Sequence, residues 1–433
     1  MMLPATIALL AALSPPRDSA TTFIRVNQLG YRPDAPKGAV VCALRDVSLT
    51  QFTVMDARSH IVLTKPATRA EPFASCADVY RLDFSELKTP GTYTIAANGV
   101  TSRTFRIGAA VCASAADTLL YYMREQRSGY NPVFRTVVHT HDGVVVGDSP
   151  RRDQFVPVTG GWADASDYLQ YVTTSANATF VMLMAYRDHR AAFTDRFDAR
   201  GDAGANGTAD VLDEARHGLE WLLRMFPADT EMYNQLGDDR DHTYFDLPAS
   251  DSSDYGWGKG KERALYPCTG RPQGLFKYTN RSTGYASTAG KFASAFALGA
   301  ALYAKRDAAF ADTLARKARA AYALGKRYPG VCQTAPGTAP YFYEEDNWTD
   351  DMELGAAELY GLTREQSFLR DAEQFAAQEP VTPWMGADTA RHYQWYPWHN
   401  NGHYEIWRGA PAAEQKLMAE YYRRGLEAVA VRA

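Results

Sequence analysis

Long apolar runs are scarce in this 433-residue sequence. The most pronounced, residues 3–13, is too short to cross a bilayer as a stable anchor and is typical of the apolar part of a signal peptide. Ala12-Leu13-Ser14 supplies a small-x-small cleavage site, although no Lys or Arg precedes the run. We therefore expect residues 1–20 to be a signal peptide and the mature protein to be secreted or periplasmic.

A strong charge of either sign is also missing. The formal net charge is −4 and the sequence pI is about 6.2, so the composition provides no basic surface for nucleic acid or for anionic lipid. We expect no nucleic-acid partner, no membrane partner and a monomeric protein.

Cysteine is rare and does not form a recognisable metal-binding pattern. None of the five cysteines lies in a CxxC pair or in a Cys/His cluster with zinc spacing. Cys42 and Cys76 could form a disulfide within the first domain. The odd count and the wide spacing favour free buried thiols at least as strongly. The five are Cys42, Cys76, Cys112, Cys268 and Cys332.

Two hydrophobic periodicities divide the chain at about residue 108. Up to there, short apolar-alternating runs separated by Pro, Gly, Asp and Asn predict an all-β, immunoglobulin-like sandwich over residues 21–108. From residue 109 to 433 the period changes to 3.6, which predicts an all-α domain. The predicted helices cover residues 113–127, 167–186, 208–225, 285–303, 310–323, 350–360, 365–376 and 412–431, and a shorter one may begin after residue 399.

Residues 159–168, Thr-Gly-Gly-Trp-Ala-Asp-Ala-Ser-Asp-Tyr, contain the most informative motif. Asp164 and Asp167 lie three apart, at the predicted start of a helix. A capping box, with Asp164 as N-cap and Asp167 at N3, would explain this spacing without any function. The glycines could instead let the backbone approach a ligand, and two carboxylates can hold and deprotonate a water molecule.

This motif resembles the Gly-Gly-Trp-x-Asp-Ala-Gly-Asp-Tyr pattern of glycoside hydrolase family 9, the inverting cellulase-type family, with Ser166 in place of its third Gly. Further segments resemble the same family in the same order, and together they cover almost the whole chain from residue 24. They are residues 24–31 (Ile-Arg-Val-Asn-Gln-Leu-Gly-Tyr), 210–215 (Asp-Val-Leu-Asp-Glu-Ala), 221–223 (Trp-Leu-Leu), 241–242 (Asp-His) and 348–354 (Trp-Thr-Asp-Asp-Met-Glu-Leu).

The resemblance implies a multidomain protein in which an immunoglobulin-like domain precedes an (α/α)6 toroid. It implies hydrolysis of a β-linked polysaccharide or oligosaccharide by inversion, with Asp167 as the general base and Asp164 orienting the same water. No cofactor is implied. The family often binds structural calcium, and Asp238, Asp239 and Asp241 are acidic enough to attract it, but no acidic cluster near residues 281–284 indicates the usual site. We therefore assign no metal ligands and leave structural calcium open.

Several aromatic and polar residues are candidates for sugar contacts, because aromatic rings stack on the C–H faces of sugars. His399 and His403 are also spaced i, i+4 as in HExxH zinc sites, but the glutamate of that motif is replaced by Asn400. We therefore assign these residues to substrate rather than to metal. The predicted substrate-binding residues are Trp162, Tyr168, His242, Trp398, His399, Asn400, His403 and Tyr404.

The family's general acid is a Glu in a late Asn-Glu context, and that motif is absent. Glu405 and Glu427 have different neighbours. Only eight or nine helices are predicted, whereas a closed toroid of six hairpins needs twelve, so we expect the chain to stop before the end of its catalytic domain.

This expectation leaves two alternatives to hydrolysis. One is an inactive or truncated glycan-binding protein that lacks the acid, and the other is a different six-hairpin protein such as a polysaccharide lyase. The sequence leaves the glycan open among cellulose, mixed-linkage glucan, xyloglucan and amino-sugar oligomers.

Overall fold

The computed structural model describes residues 21–113, 115–165, 167–243, 246–381 and 401–432. They form two compact units, one ending at Ala116 and one beginning at Asp117. Each unit has an apolar core of its own.

The first unit is a sandwich of two antiparallel β-sheets, as predicted. One sheet has the strand order β1-β2-β6-β5, and the other has the order β4-β3-β7-β8 with β9 also paired to β7. The strands are β1 (Thr22–Arg25), β2 (Gly38–Ala43), β3 (Gln51–Asp56), β4 (Ile61–Pro66), β5 (Thr68–Ala70), β6 (Asp78–Asp83), β7 (Gly91–Ala97), β8 (Val100–Thr101) and β9 (Phe105–Ile107).

Side chains alternate between the core and the surface along these strands. In β3, Phe52 and Val54 are buried while Gln51 is exposed, as expected for a sheet with one face in the core. A disulfide joins Cys42 of β2 to Cys76. The sequence left open whether these two cysteines are bridged or free, and the structure shows that they are bridged.

The second unit is mainly helical, and nine α-helices lie in its described residues. They are α1 (Ala115–Glu125), α2 (Val172–Asp188), α3 (Asp210–Met225), α4 (Ala286–Tyr303), α5 (Ala308–Arg327), α6 (Thr349–Thr363), α7 (Gln366–Gln378), α8 (Asn401–Gly409) and α9 (Ala412–Arg432). Every predicted helix has a counterpart here, including the short one after residue 399.

Helix α4 is the centre of this unit. It packs against α2, α5 and α6, and nearly all of its residues are buried. Ala and Gly occupy many of its positions, and small side chains allow close helix packing. Gly290 is one example, because a Cβ there would lie 2.4 Å from the Asp351 backbone of α6.

Two small sheets complete the unit. Strands β10 (Gly129–Asn131) and β11 (Thr136–Val138) form an antiparallel pair. The other sheet has the order β12-β15-β14-β13, with β12 (Val144–Val145), β13 (Gln170–Tyr171), β14 (Tyr233–Leu236) and β15 (Ala264–Pro267). All of these strands lie where the sequence predicted loops, except β13, which lies within the predicted helix 167–186.

A second disulfide joins Cys268, just after β15, to Cys332. The expectation of free buried thiols is therefore wrong for four of the five cysteines, and the remaining one, Cys112, is free but exposed. No helix in the described part of the chain is long and apolar enough to cross a membrane.

Candidate active site

The two glycines of the Gly-Gly-Trp motif pack closely against α3. Gly160 and Gly161 have φ angles of 129° and 73°, which L side chains rarely adopt. A Cβ on Gly161 would lie 2.6 Å from Trp221 of α3 and 2.8 Å from the Gln170 amide nitrogen. Close contact with α3 therefore accounts for glycine at these positions, and the approach of a ligand to this backbone stays a prediction.

The two aspartates do not cap a helix. Helix α2 begins at Val172, after Tyr171 as N-cap, and no side chain makes a capping bond. Residues 170–171 pair instead with β14, so the chain is extended where the sequence predicted the first helical turns. The capping-box interpretation is wrong, which leaves both carboxylates free for other contacts.

Asp167 lies beside His242. The His242 Nε2 atom is 2.9 Å from Asp167 Oδ2, and a carboxylate oxygen only accepts, so Nε2 carries the hydrogen. The other oxygen, Oδ1, is buried and has no hydrogen-bond partner in the described residues. The Asp167 side chain as a whole is 18% exposed, but its unpaired oxygen, Oδ1, is shielded from solvent.

Asp164 is held by hydroxyl groups. The Tyr343 hydroxyl donates to Asp164 Oδ2, and the Tyr343 ring packs on Tyr171 at 4.6 Å between centroids. Burial raises the pKa of Asp164 above its ordinary value. The hydroxyls of Tyr343 and Thr174 lower it, and the charge of Asp167 raises it further. Asp164 therefore loses its proton less readily than an exposed carboxyl would.

A third carboxyl, Asp241, lies behind the pair. Its Oδ2 accepts from the Tyr168 backbone N–H and from the Tyr255 hydroxyl, both at 3.1 Å. Burial, followed by the charge of Asp167, raises the pKa of Asp241 to about 7. Both residues of the predicted Asp241-His242 pair therefore contact the motif. His242 contacts the Asp167 carboxylate, and Asp241 accepts from the backbone N–H of the next residue, Tyr168.

Two shallow cavities flank the carboxylates. One, of about 250 Å³, is lined by Asp167 together with Tyr168, Glu125 and Leu247 among others. The second, of about 190 Å³, contains Asp164. Each cavity has room for water beside its carboxylate.

The motif's Trp and Tyr lie in the interior rather than on an open stacking surface. Trp162 is 3% exposed, and its indole N–H donates to Glu214 at 2.9 Å. Tyr168 is 2% exposed, and its hydroxyl donates to the Asp246 carbonyl at 2.5 Å. Trp162 thus packs in the interior and lines the cavity that contains Asp164, while Tyr168 borders the cavity next to Asp167.

The late candidates make contacts of a different kind. His403 is buried, with Nδ1 2.6 Å from Glu353 of α6. The Tyr404 hydroxyl lies 3.3 Å from Asp188, and its ring stacks on Trp407. None of these described contacts involves Asp164 or Asp167. The other three predicted contacts, Trp398, His399 and Asn400, lie outside the described residues.

Neither late glutamate is free to act as an acid. Glu405 is buried and accepts from Arg187 and Arg408, and Glu427 pairs with Arg423. These ion pairs agree with the sequence analysis, which assigned the general acid to neither Glu405 nor Glu427.

The acidic groups near the start of α6 do not fit a metal ion. The Lys291 ammonium donates to Glu345 and to Asp351 at 2.6 Å, so a side chain already supplies the positive charge. Across the described ranges, no group of three or more His, Cys, Asp or Glu side chains is arranged to hold a metal.

Tyr343 is the main site residue that sequence reasoning missed. It is 179 positions from Asp164, in a segment without regular structure, residues 331–346. Its setting among other aromatic residues (Tyr341, Phe342, Tyr343) was the available signal, although aromatic clusters are more often core.

Two family models match the sequence. The one described as "Glycosyl hydrolase family 9" matches residues 113–429, and the one described as "Cellulase N-terminal ig-like domain" matches residues 19–102. These matches identify the β-sandwich as immunoglobulin-like and the helical domain as the (α/α)6 type.

Curated relatives include Endoglucanase C of Cellulomonas fimi, 31% identical over 80% of this chain and 32% of that protein. The xyloglucan-specific endo-beta-1,4-glucanase of Bacteroides ovatus is 33% identical over 49% of this chain and 38% of that protein. The chain thus spans between about a third and two fifths of the length of these two relatives.

Among solved structures, a metagenome-derived glycoside hydrolase family 9 endoglucanase superposes with a TM-score of 0.68 at 27% identity. The match covers 92% of this chain and 71% of that one. Since the family model covers well over half of the sequence, the chain belongs to glycosyl hydrolase family 9.

Proposed function

We propose that the protein hydrolyses β-linked glucan with inversion at the anomeric carbon, with Asp167 as the general base. The observation that carries the proposal is the pair Asp164 and Asp167, in a family motif, without the capping role that could have explained it. The names of the relatives, which are endoglucanases, support a β-1,4-linked glucan as the substrate class.

The different surroundings of the two carboxylates support their division of roles. A base must be ionised and must present a free lone pair to water. Asp167 has an unused oxygen and a histidine N–H on the other oxygen. The raised pKa of Asp164 and its bond from Tyr343 suit a group that holds the same water without taking its proton.

His242 supports the base by orientation. By donating to Oδ2, it fixes the rotation of the Asp167 carboxylate and leaves Oδ1 without a hydrogen-bond partner among the described residues. His242 is itself 41% exposed, so its edge can also contact a sugar hydroxyl. This gives His242 the substrate-binding role predicted for it.

We also propose the segment boundaries, the location and the oligomeric state that the sequence predicted. Residues 1–20 act as a signal peptide, residues 21–108 form the immunoglobulin-like domain and residues 109–433 belong to the catalytic domain. The protein acts outside the cytoplasm as a monomer on a polysaccharide or oligosaccharide. Secretion is tested by expressing the complete sequence and finding the N-terminus of the exported form.

The test of the proposal is hydrolysis by the purified chain. Cellulose, mixed-linkage glucan and xyloglucan are incubated with it, and new reducing ends are measured. We expect the first product to be the α-anomer by proton NMR, because inversion of a β-linkage produces it. Asp167→Asn should lower kcat by a factor of about 10²–10⁴, the usual contribution of a general base.

Asp371→Asn is the matched control. The Asp371 side chain is about as exposed as that of Asp167, at 20% against 18%, and it also accepts a side-chain hydrogen bond, from Tyr322 at 2.9 Å. It lies on α7, so hydrolysis should be unchanged. Full activity of Asp167→Asn would refute the assignment of the base. Binding of glucan by wild-type protein without any cleavage would instead support the alternative of a glycan-binding protein.

A further inference from the structure

The two aspartates are positioned by side chains from two separate segments. Tyr343, in the 331–346 loop, donates to Asp164. His242, in the Asp239–Thr243 turn, contacts Asp167. The distance between the carboxylates therefore depends on how this loop and this turn are placed relative to each other.

A single carboxylate joins the loop to the turn. Asp239 Oδ1 accepts from the Thr338 backbone N–H at 2.7 Å, and Oδ2 accepts from the Ala339 N–H at 2.6 Å. Asp239 is the first residue of the turn that carries His242, and the two N–H groups that donate to it lie five and four residues before Tyr343. Both oxygens of one side chain are thus used to fix one segment to the other.

The glycine next to these amides allows the contact. A Cβ on Gly337 would lie 2.0 Å from Asp239 Oδ1, so any other residue would push the carboxylate away. The φ of Gly337 is not in the left-handed region, unlike that of Gly330. The requirement for glycine at 337 is therefore the proximity of Asp239, not backbone conformation.

The loop is also attached elsewhere, but to other elements. Its beginning bonds to β14 through Asn234 and Gln235, and Glu345 is bonded by Lys291 of α4. Asp239 attaches this loop to the turn that bears His242 through two backbone N–H groups.

We propose that Asp239 is a positioning residue for the catalytic pair. By fixing the loop of Tyr343 to the turn of His242, Asp239 sets the position of Asp164 relative to Asp167. The inference rests on the proposed function, since it assigns Asp239 to the same reaction. Charge-assisted bonds to backbone N–H groups are among the stronger hydrogen bonds in proteins. A displacement of about 1 Å can reduce a rate by about 10².

Hydrogen exchange at the backbone N–H of Tyr168 reports on the placement of the turn and does not require catalysis. This N–H donates to Asp241 in the turn and makes no described contact with Asp239. In Asp239→Ala and in Gly337→Ala, we expect hydrogen exchange at Tyr168 to be about tenfold faster than in wild type. Asp239→Asn keeps one acceptor oxygen and should show an intermediate rate.

Asp195 provides a matched control, because it also accepts two backbone N–H groups, from Asn206 and Gly207 at 3.0 and 2.8 Å. Its bonds involve neither the 331–346 loop nor the turn. Asp195→Ala should expose its own loop to exchange and leave Tyr168 unchanged. Gly38→Ala, where a Cβ meets nothing within 4 Å, is the control for Gly337→Ala.

Kinetics provide the second readout. Asp239→Ala should lower kcat by a factor of about 10–100 with KM within about twofold, because water and base are misplaced while glucan still binds. Unchanged exchange at Tyr168 in both Asp239→Ala and Gly337→Ala, or an equal increase in Asp195→Ala, would overturn the inference. If Asp239→Ala does not fold, the other two variants decide.

The two proposals fail in different ways. If wild-type protein does not hydrolyse glucan, the proposed function is wrong, and the exchange rates still decide whether Asp239 couples the two segments. If wild-type protein is active and the exchange is unaffected, the function stands and the role of Asp239 is wrong.

Discussion

Lys291→Met is expected to destabilise the protein strongly. Lys291 lies in the middle of α4, has no exposed surface and donates to Glu345 and Asp351. Burial by itself would lower the pKa of Lys291, but the charges of Asp351 and Glu345 outweigh it and raise the pKa. The ammonium is therefore charged in the folded protein and compensates buried carboxylates.

The size of the effect follows from this burial. Removing one partner of a buried ion pair costs about 3–5 kcal/mol, because the other charge stays buried without compensation. Methionine keeps most of the side-chain length, so little of the loss comes from a cavity. We expect the free energy of unfolding to fall by about 3–5 kcal/mol at pH 8.

The loss should be smaller at pH 5. Burial raises the pKa of Asp350 to about 7 and that of Glu379 to about 8, so at pH 5 both are protonated in the folded state. With less negative charge left, the cost approaches that of unsatisfied neutral groups, about 1–3 kcal/mol. Urea unfolding at the two pH values measures the difference.

Lys326→Met is the control for this prediction. Lys326 pairs with Asp371 at 2.7 Å but is 48% exposed, and exposed ion pairs contribute about 0–1 kcal/mol. A loss for Lys291→Met no larger than that for Lys326→Met at pH 8 would refute the reasoning.

Further predictions concern pH, packing and the second disulfide. The raised pKa values of Asp350 and Glu379 give stability that is full below about pH 4 and is lost as the pH rises through about 7 and 8. Urea midpoints should therefore fall less steeply with pH in Asp350→Asn, and an identical slope would contradict this. Trp162→Phe loses a buried indole hydrogen bond and should lower the free energy of unfolding by about 1–3 kcal/mol without changing KM for glucan. A raised KM with unchanged stability would contradict this and support contact of Trp162 with the substrate. Replacing both Cys268 and Cys332 by Ser should cost about 2–4 kcal/mol in the same assay, and an unchanged midpoint would show that the bridge is not formed.

Much of the fold could be predicted from the sequence because it rests on local periodicity. Alternating runs such as Gln51–Asp56 and 3.6-residue patterns such as Asp210–Met225 predict the element in which they lie. The start of α2 was missed because residues 170–171 pair with β14, more than 60 positions away. Such pairing overrides the local signal for a helix.

The site could be predicted only in part, for a similar reason. Asp164 and Asp167 were found because they lie together in one motif, and His242 because it follows Asp241. Tyr343 and Asp239 act through contacts between distant segments, and no spacing in the sequence indicates such contacts. The burial of Trp162 was not foreseen, because a tryptophan next to two carboxylates suggests stacking on a ligand, whereas its indole N–H donates to Glu214 in the core.

Lys291 illustrates a signal that was present but not used. It is the only charged residue in α4, an 18-residue helix rich in alanine and glycine. A lone cation in a helix that is apolar on all sides predicts buried acidic partners, because a buried charge must be paired. Pairing with Asp351 could have been inferred on that ground, since 348–354 is the next acidic segment of a predicted helix.

The most direct test of Asp167 as the base is rescue of its removal by azide. In Asp167→Ala, the azide anion can attack the anomeric carbon in place of water, with no proton to be removed, while the leaving oxygen departs as it does in the wild type. Wild-type protein, Asp167→Ala and Asp164→Ala are compared on the same soluble β-glucan oligosaccharide with and without azide. We predict that azide accelerates Asp167→Ala alone and yields the α-glycosyl azide. Rescue of Asp164→Ala instead, or no azide product from Asp167→Ala in a preparation whose wild type is active, would contradict the assignment.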